Sequence, residues 1–262
     1  MGPQRIALLI EYDGAAYAGS QLQTNAATIQ GCLEDAIRQT TATASRVALA
    51  GRTDAGVHAA GQVAAFLTES ALDPSVLQRA LNARLPRDIV VREARGVGLD
   101  FDPRRAALGR HYRYRIDNRP TRPALGRDRA WHVAEPLDVE TMAAAAARLV
   151  GSHDFAAFAA PAEDGGARTQ REVHCFTARK RGPHVICDVS ANAFLRHQVR
   201  RMVGALVEVG RGQLTAAQYG DLLDGPPASA GPSAPPQGLC LVSVRYAAPL
   251  FAAGLDSKAG VC

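Results

Sequence analysis

Residues 5–12 hold the apolar run Ile6-Ala7-Leu8-Leu9-Ile10 closed by Asp13-Gly14, which predicts a buried strand entering a turn. From Thr28 the apolar positions Ile29, Leu33 and Ile37 recur at four-residue spacing, so a helix is expected to about residue 40 with Thr28 as its N-cap. Two short strands, 47–50 and 62–67, flank the glycine-bounded segment Gly51-Arg52-Thr53-Asp54-Ala55-Gly56-Val57-His58, which reads as a loop. Asp73-Pro74 opens a second helix, with an N-cap followed by an N1 proline, and Leu85-Pro86 stops it. Residues 88–95 return as a strand. The order β-α-β-β-α-β is that of a split βαβ unit with an antiparallel sheet.

A comparable unit follows. In 109–118 Tyr112, Tyr114 and Ile116 alternate with His111, Arg113 and Arg115, giving a strand with one aromatic face and one basic face. Residues 138–150 predict an alanine-rich helix capped by Asp138 and followed by Gly151. Residues 171–181 and 184–190 form a hairpin around Gly182-Pro183, and Asn192 is expected to cap a long helix over 194–209. Another helix is placed at 215–223. The Pro, Gly and Ser-rich stretch 225–238 reads as a linker before a closing strand at 239–246. The chain is thus expected to be α+β, with one half over 1–103, a second over 104–246 and a mobile tail over 247–262.

Composition narrows the function. Of the 30 basic residues only Lys180 and Lys258 are lysines, which leaves 28 arginines, and the net charge is +5. Arginine's planar fork suits phosphates and stacked bases, so the balance favours a polyanionic partner, although a genome-wide bias toward arginine and alanine would give the same excess. Nine arginines fall within 104–129, interleaved with His111, Tyr112 and Tyr114, the mixture that RNA backbones and splayed bases call for. The five cysteines are odd in number and form no CxxC pair, so neither a disulfide framework nor a thiolate zinc site is signalled. No apolar run approaches the roughly 18 residues of a spanning helix, and the N-terminus lacks a signal-peptide core, so no membrane association and a cytoplasmic location are expected.

Two segments carry candidate chemistry. Asp54, set between two glycines, has little steric cover, so a large substrate could reach its carboxylate; an Asx-type turn is the plainer alternative. In the segment 192–204, Arg196, Arg200 and Arg201 sit on an otherwise apolar stretch, and a buried guanidinium there calls for a carboxylate or phosphate partner. Signals for ATP, dinucleotide, zincin and α/β-hydrolase chemistry are missing from the sequence.

Ala50-Gly51-Arg52-Thr53-Asp54-Ala55-Gly56-Val57-His58 with Gly61-Gln62-Val63 resembles the signature of the tRNA pseudouridine synthase A family. Further matches follow in order: Glu11-Tyr12-Asp13-Gly14, Leu81-Asn82, Leu85-Pro86, Asp88-Ile89, Tyr112-Arg113-Tyr114, His153-Asp154-Phe155, Asn192-Ala193-Phe194-Leu195 with Val199-Arg200, and Gly238-Leu239 with Leu241-Val242. The resemblance implies isomerisation of uridine to pseudouridine at positions 38, 39 and 40 of the tRNA anticodon stem-loop, with no metal and no cofactor. It implies a homodimer of RRM-like, ferredoxin-like halves sharing a central, mainly antiparallel sheet, with helices on one face and a basic cleft between the halves. Asp54 would be the catalytic aspartate, Tyr112 would stack on the target base, Arg200 would pair with Asp54, and Arg52 would help displace the base. His58 completes the substrate-binding set, and Arg110, Arg113, Arg196 and Arg201 are candidate RNA contacts. A tRNA-binding protein without turnover, and a metal-dependent RNA hydrolase using His58, His111 or His197, are the competing readings.

Three departures from the family pattern stand out. Gly19-Ser20-Gln21 replaces the usual Gly-Trp-Gln, Asp102-Pro103 replaces a His-Ala pair, and the stretch around Arg168-Thr169-Gln170-Arg171 looks shortened.

Overall fold

A computed structural model describes residues 2–160 and 168–252. In chain order the elements are β1 (Gln4–Tyr12), α1 (Ile29–Thr41), β2 (Ala48–Leu49), β3 (His58–Thr68), α2 (Pro74–Asn82), β4 (Ile89–Val97), β5 (Gly109–Asp117), β6 (Trp131–His132), α3 (Val139–Ala147), β7 (Gly151–Asp154), β8 (Gln170–Arg181), β9 (His184–Ala191), α4 (Gln198–Gly210), α5 (Ala216–Asp221) and β10 (Leu239–Arg245). They fall into two compact units, one running to Leu108 and resuming at Leu241, the other spanning Gly109–Cys240. Both mix helices with mainly antiparallel strands, so the α+β class expected from the chain holds. The end of the tail expected over 247–262 lies outside the described residues.

In the first unit the strand order is β4-β1-β3-β10, with β2 beside β3 and with β1 antiparallel to both β3 and β4. Ile6, Ala7, Leu8 and Ile10 are fully buried, which explains the unbroken apolar run: β1 is covered on both faces. Helix α1 starts where its cap was expected, the Thr28 side chain accepting from Gly31 N–H, and it buries Ile29, Leu33, Ala36 and Ile37. Helix α2 begins at Pro74, with Asp73 accepting from Ser75 N–H. Its last residue, Asn82, pairs with Val91 of β4 like a peptide group, accepting from the Val91 N–H and donating to the Val91 carbonyl at 2.8 Å each.

The second unit has the strand order β5-β9-β8-β7, antiparallel throughout, with β6 parallel to β5. The alternation in β5 works as expected, with Tyr112, Tyr114 and Ile116 buried while Arg113 and Arg115 point to the other face. Tyr114 sits edge-on to Trp131 and donates to the Pro235 carbonyl at 2.7 Å. Helix α4 buries Val199, Met202, Val203, Leu206 and Val207, and Tyr219 of α5 donates to the Met202 carbonyl.

Several expectations need correction. The helix expected over 194–209 starts only at Gln198, because His197 adopts a left-handed φ of 63°. Asn192 therefore caps no helix; its side-chain oxygen instead accepts from the N–H groups of Glu172 and Ala193. Helix α3 stops at Ala147, and Gly151, with φ 117°, opens β7. Strands β6 and β7, only two and four residues long, were not anticipated, since such short pairings leave no periodic signal.

Candidate functional site

The first unit presents Asp54 on the loop between β2 and β3. Arg52 is exposed, Thr53 and His58 are buried and Asp54 is half-buried. Val57 N–H closes the turn onto the Asp54 carbonyl at 3.1 Å. Beneath the loop Thr53 Oγ1 meets the Tyr12 hydroxyl at 2.8 Å. Gln62, fully buried on β3, donates to the Gly51 carbonyl at 2.8 Å and to the Tyr12 hydroxyl at 3.4 Å. These polar groups are enclosed and mutually bonded, which orders the loop instead of leaving it free to wander.

The segment after β1 lies against both ends of this loop. A Cβ on Gly14 would fall 2.0 Å from the Val57 carbonyl oxygen, and one on Gly19, whose φ is 100°, would fall 2.8 Å from the Thr53 carbonyl oxygen. Only glycine allows both approaches. His58 Nδ1 receives the Gly14 N–H at 3.1 Å and lies 3.0 Å from Asp13 Oδ1, tying the start of β3 to the same segment. Tyr17 donates to Asp88 at 2.6 Å, and burial first, then this bond, raises its phenol far above the ordinary value.

In the second unit Tyr112 lies on β5, 7% exposed, its ring edge-on to Phe194 with centroids 5.3 Å apart and planes at 88°. Arg110, two residues earlier, donates to the Asn192 carbonyl at 2.9 Å, so the strand and the 192–197 segment meet at two points. Arg200 and Arg201 occupy the first turn of α4. Arg200 Nε donates to the Ala234 carbonyl at 2.8 Å, and Arg201 Nη1 to the Ala228 carbonyl at 2.6 Å. Arg196 precedes the helix and is exposed, so it lies off the helix that carries Arg200 and Arg201.

On the other face of β5, Asp188 of β9 is fully buried and gathers three basic side chains. His111 Nε2 lies at 2.9 Å, Arg113 bonds through Nε at 2.8 Å and Nη2 at 3.2 Å, and Arg179 through Nη2 at 2.8 Å. Burial alone would raise this carboxyl, but the bonds and charges of His111 and Arg113 overcome it and hold the group well below the usual carboxylate range. Arg119 is likewise engaged, forking onto the buried Asp117 at 2.8 and 2.7 Å. Arg104, Arg105, Arg115, Arg122, Arg127 and Arg129 of the arginine-rich stretch are exposed.

Residues 8–104 and 145–247 match the family model described as tRNA pseudouridine synthase. The chain belongs to this family. It is 44% identical to the tRNA pseudouridine synthase A of Geotalea uraniireducens (strain Rf4) over 244 residues, covering 93% of this chain and all of that one. It is 45% identical to the Myxococcus xanthus protein of the same name, with 92% of each chain covered, and 45% identical to that of Geobacter sulfurreducens (strain ATCC 51573 / DSM 12127 / PCA), with 92% and 99% covered. The protein is accordingly a pseudouridine synthase, an isomerase that converts uridine to pseudouridine in tRNA.

The three histidines weighed for metal chemistry each have their own neighbours. His58 bonds to the 13–14 segment, His111 to Asp188, and His197 faces the Ser233 hydroxyl at 3.5 Å at the start of α4. The sequence reading did not single out Tyr12, Ser20 and Gln62 as supports of the synthase's Asp54 loop. For Tyr12 and Gln62 a signal was present, since each is a polar residue within or beside an apolar strand segment, where burial demands a partner; Ser20, in the loop after β1, carried none.

Proposed function

We propose that this pseudouridine synthase modifies uridines 38, 39 and 40 in the tRNA anticodon stem-loop, with Asp54 as the reacting carboxylate. The observation that carries this reading is the Asp54 loop itself. A half-buried carboxylate stands on a turn bonded from below through Thr53, Tyr12 and Gln62, and the exposed Arg52 stands two residues away. The reaction breaks the N1–C1′ bond, retains and turns the uracil, joins C5 to C1′, and moves a proton from C5 so that N1 ends protonated. A fixed carboxylate serves this either by attacking C1′ or by acting as the base in an elimination route.

The remaining roles follow from chemistry. Tyr112 offers an aromatic face for the unstacked base, Arg52 a cation for displacing the target nucleotide, and Arg200 a guanidinium to pair with Asp54. His58, buried and bonded to the 13–14 segment, serves substrate binding by holding the start of β3 in place. Arg110, Arg113, Arg196 and Arg201 add positive charge toward RNA phosphates, Arg113 less than the others because Asp188 engages it. We place the enzyme in the cytoplasm as a homodimer. Among the described residues no helix is long and apolar enough to cross a membrane.

The test is conversion of unmodified tRNA, mapped by position, with the natural chain and Asp54→Asn. Product at 38–40 from the natural chain alone, with tRNA binding kept by the variant, supports the reading; normal turnover by Asp54→Asn overturns it.

A further inference from the structure

Ser20, where the family commonly carries tryptophan, is fully buried and bonds Thr53 twice. Its N–H donates to the Thr53 carbonyl at 3.0 Å, and its hydroxyl oxygen accepts from the Thr53 N–H at 2.8 Å. The second bond is made by the side chain, and the Ser20 carbonyl separately accepts the Gln30 N–H at 3.0 Å. Ile29 N–H likewise holds the Gly19 carbonyl, at 3.3 Å. The chain of contacts therefore runs from the first turn of α1, through residues 19–20, to the two peptide groups on either side of Thr53. One of these peptides joins Thr53 to Arg52 and the other joins it to Asp54.

We propose that Ser20 is a positioning residue for the uridine isomerisation: its hydroxyl fixes the Arg52–Thr53 peptide plane while its own N–H holds the Thr53–Asp54 plane, and together they set the direction of the Asp54 carboxylate. The proposal rests on Asp54 being the reacting group. Three constraints converge on Thr53, since Tyr12 holds its hydroxyl while Ser20 holds its N–H and its carbonyl. The Gly19 backbone closes the remaining side, where a Cβ would stand 2.8 Å from the Thr53 oxygen and 3.4 Å from the Asp54 carbonyl carbon. Without the hydroxyl the Thr53 N–H faces an enclosed space with its acceptor gone, and the peptide must rotate to find another. A carboxylate that attacks or deprotonates at one defined atom loses rate steeply when it is turned away.

The experiment measures single-turnover conversion of an unmodified tRNA transcript, tRNA affinity and thermal midpoint for the natural chain, Ser20→Ala, Ser20→Thr and Asp54→Asn. Ser20→Ala should slow the chemical step by about ten- to a hundredfold with tRNA affinity unchanged. Ser20→Thr, which keeps the hydroxyl, should recover most of that rate. An unchanged rate in Ser20→Ala, a rate that falls only as far as binding does, or a Ser20→Thr no faster than Ser20→Ala overturns the proposal. If Ser20→Ala does not fold, Ser20→Cys, close in volume but a weak acceptor, is judged by the same criteria. Asp54→Asn separates the two ideas. Normal turnover there removes the Asp54 reading and this proposal together, whereas an inactive Asp54→Asn beside a fully active Ser20→Ala removes this proposal alone.

Discussion

Tyr12, the last residue of β1, and Thr53, the residue before Asp54, join through their hydroxyls at 2.8 Å across 41 residues of chain. Tyr12 is 2% exposed, so the bond links a buried strand of the first unit to the Asp54 loop. Core and Asp54 loop are therefore mechanically continuous.

Tyr12→Phe keeps the ring and removes the partner of Thr53 and Gln62. It is expected to lower stability by about 1 to 2 kcal/mol, because two buried groups lose a bond while the packing remains. Denaturant unfolding of the variant beside the natural chain checks this, and an unchanged midpoint would show that the hydroxyl bond contributes nothing net.

The edge-on contact of Tyr112 with Phe194 predicts a difference between two substitutions. Tyr112→Phe should fold normally and retain the aromatic face, while Tyr112→Leu should lose turnover far more than stability. Phe194→Leu should cost about 1 kcal/mol of stability, the usual worth of an aromatic pair. Steady-state kinetics and thermal melts on the three variants decide the matter; equal turnover in Tyr112→Leu counts against a stacking role.

Asp188 makes stability depend on acid. Its folded carboxyl titrates below the ordinary value, so its contribution is fully present above about pH 4 and is lost as pH falls from there through the lower folded value. Asp188→Asn should be less stable than the natural chain by about 2 to 4 kcal/mol at pH 7, since Arg113, Arg179 and His111 lose a shared carboxylate. That gap should shrink below pH 4. Urea unfolding at pH 7 and at pH 3 measures both, and a gap independent of pH would mean that the variant acts through packing and not through charge.

Exposed arginines over 104–129 predict salt-sensitive tRNA binding. Between 50 and 200 mM salt, affinity should fall by about a hundredfold or more if several of them track phosphates. Neutralising Arg122 and Arg127 together should flatten the slope, whereas removing Arg119, already forked onto Asp117, should change stability more than slope. Binding titrations at graded salt test this, and a flat response would contradict phosphate contact.

Local physics was legible in the chain. Thr28, Asp73 and Asp138 cap the helices they were expected to cap, and Gly182-Pro183 closes its hairpin, because capping and turn formation involve residues only a few positions apart. The helix start at 198 was not legible. Apolar spacing runs on through 194–197, but His197 adopts a left-handed φ that periodicity does not encode. Nor could the sequence show that Arg113 belongs to a buried carboxylate, since its partner lies 75 residues away.

By itself, then, the sequence determined the α+β class, most element positions, and the family through the Gly51–His58 and Asn192–Arg200 motifs. Tertiary structure alone decided which polar residues meet. Ser20, Tyr12 and Gln62 converge on the Asp54 loop, and His111, Arg113 and Arg179 on Asp188. The reason is physical: a buried polar group must find a partner, but which one it finds is set by strand register and close packing across distant segments, not by its neighbours in the chain.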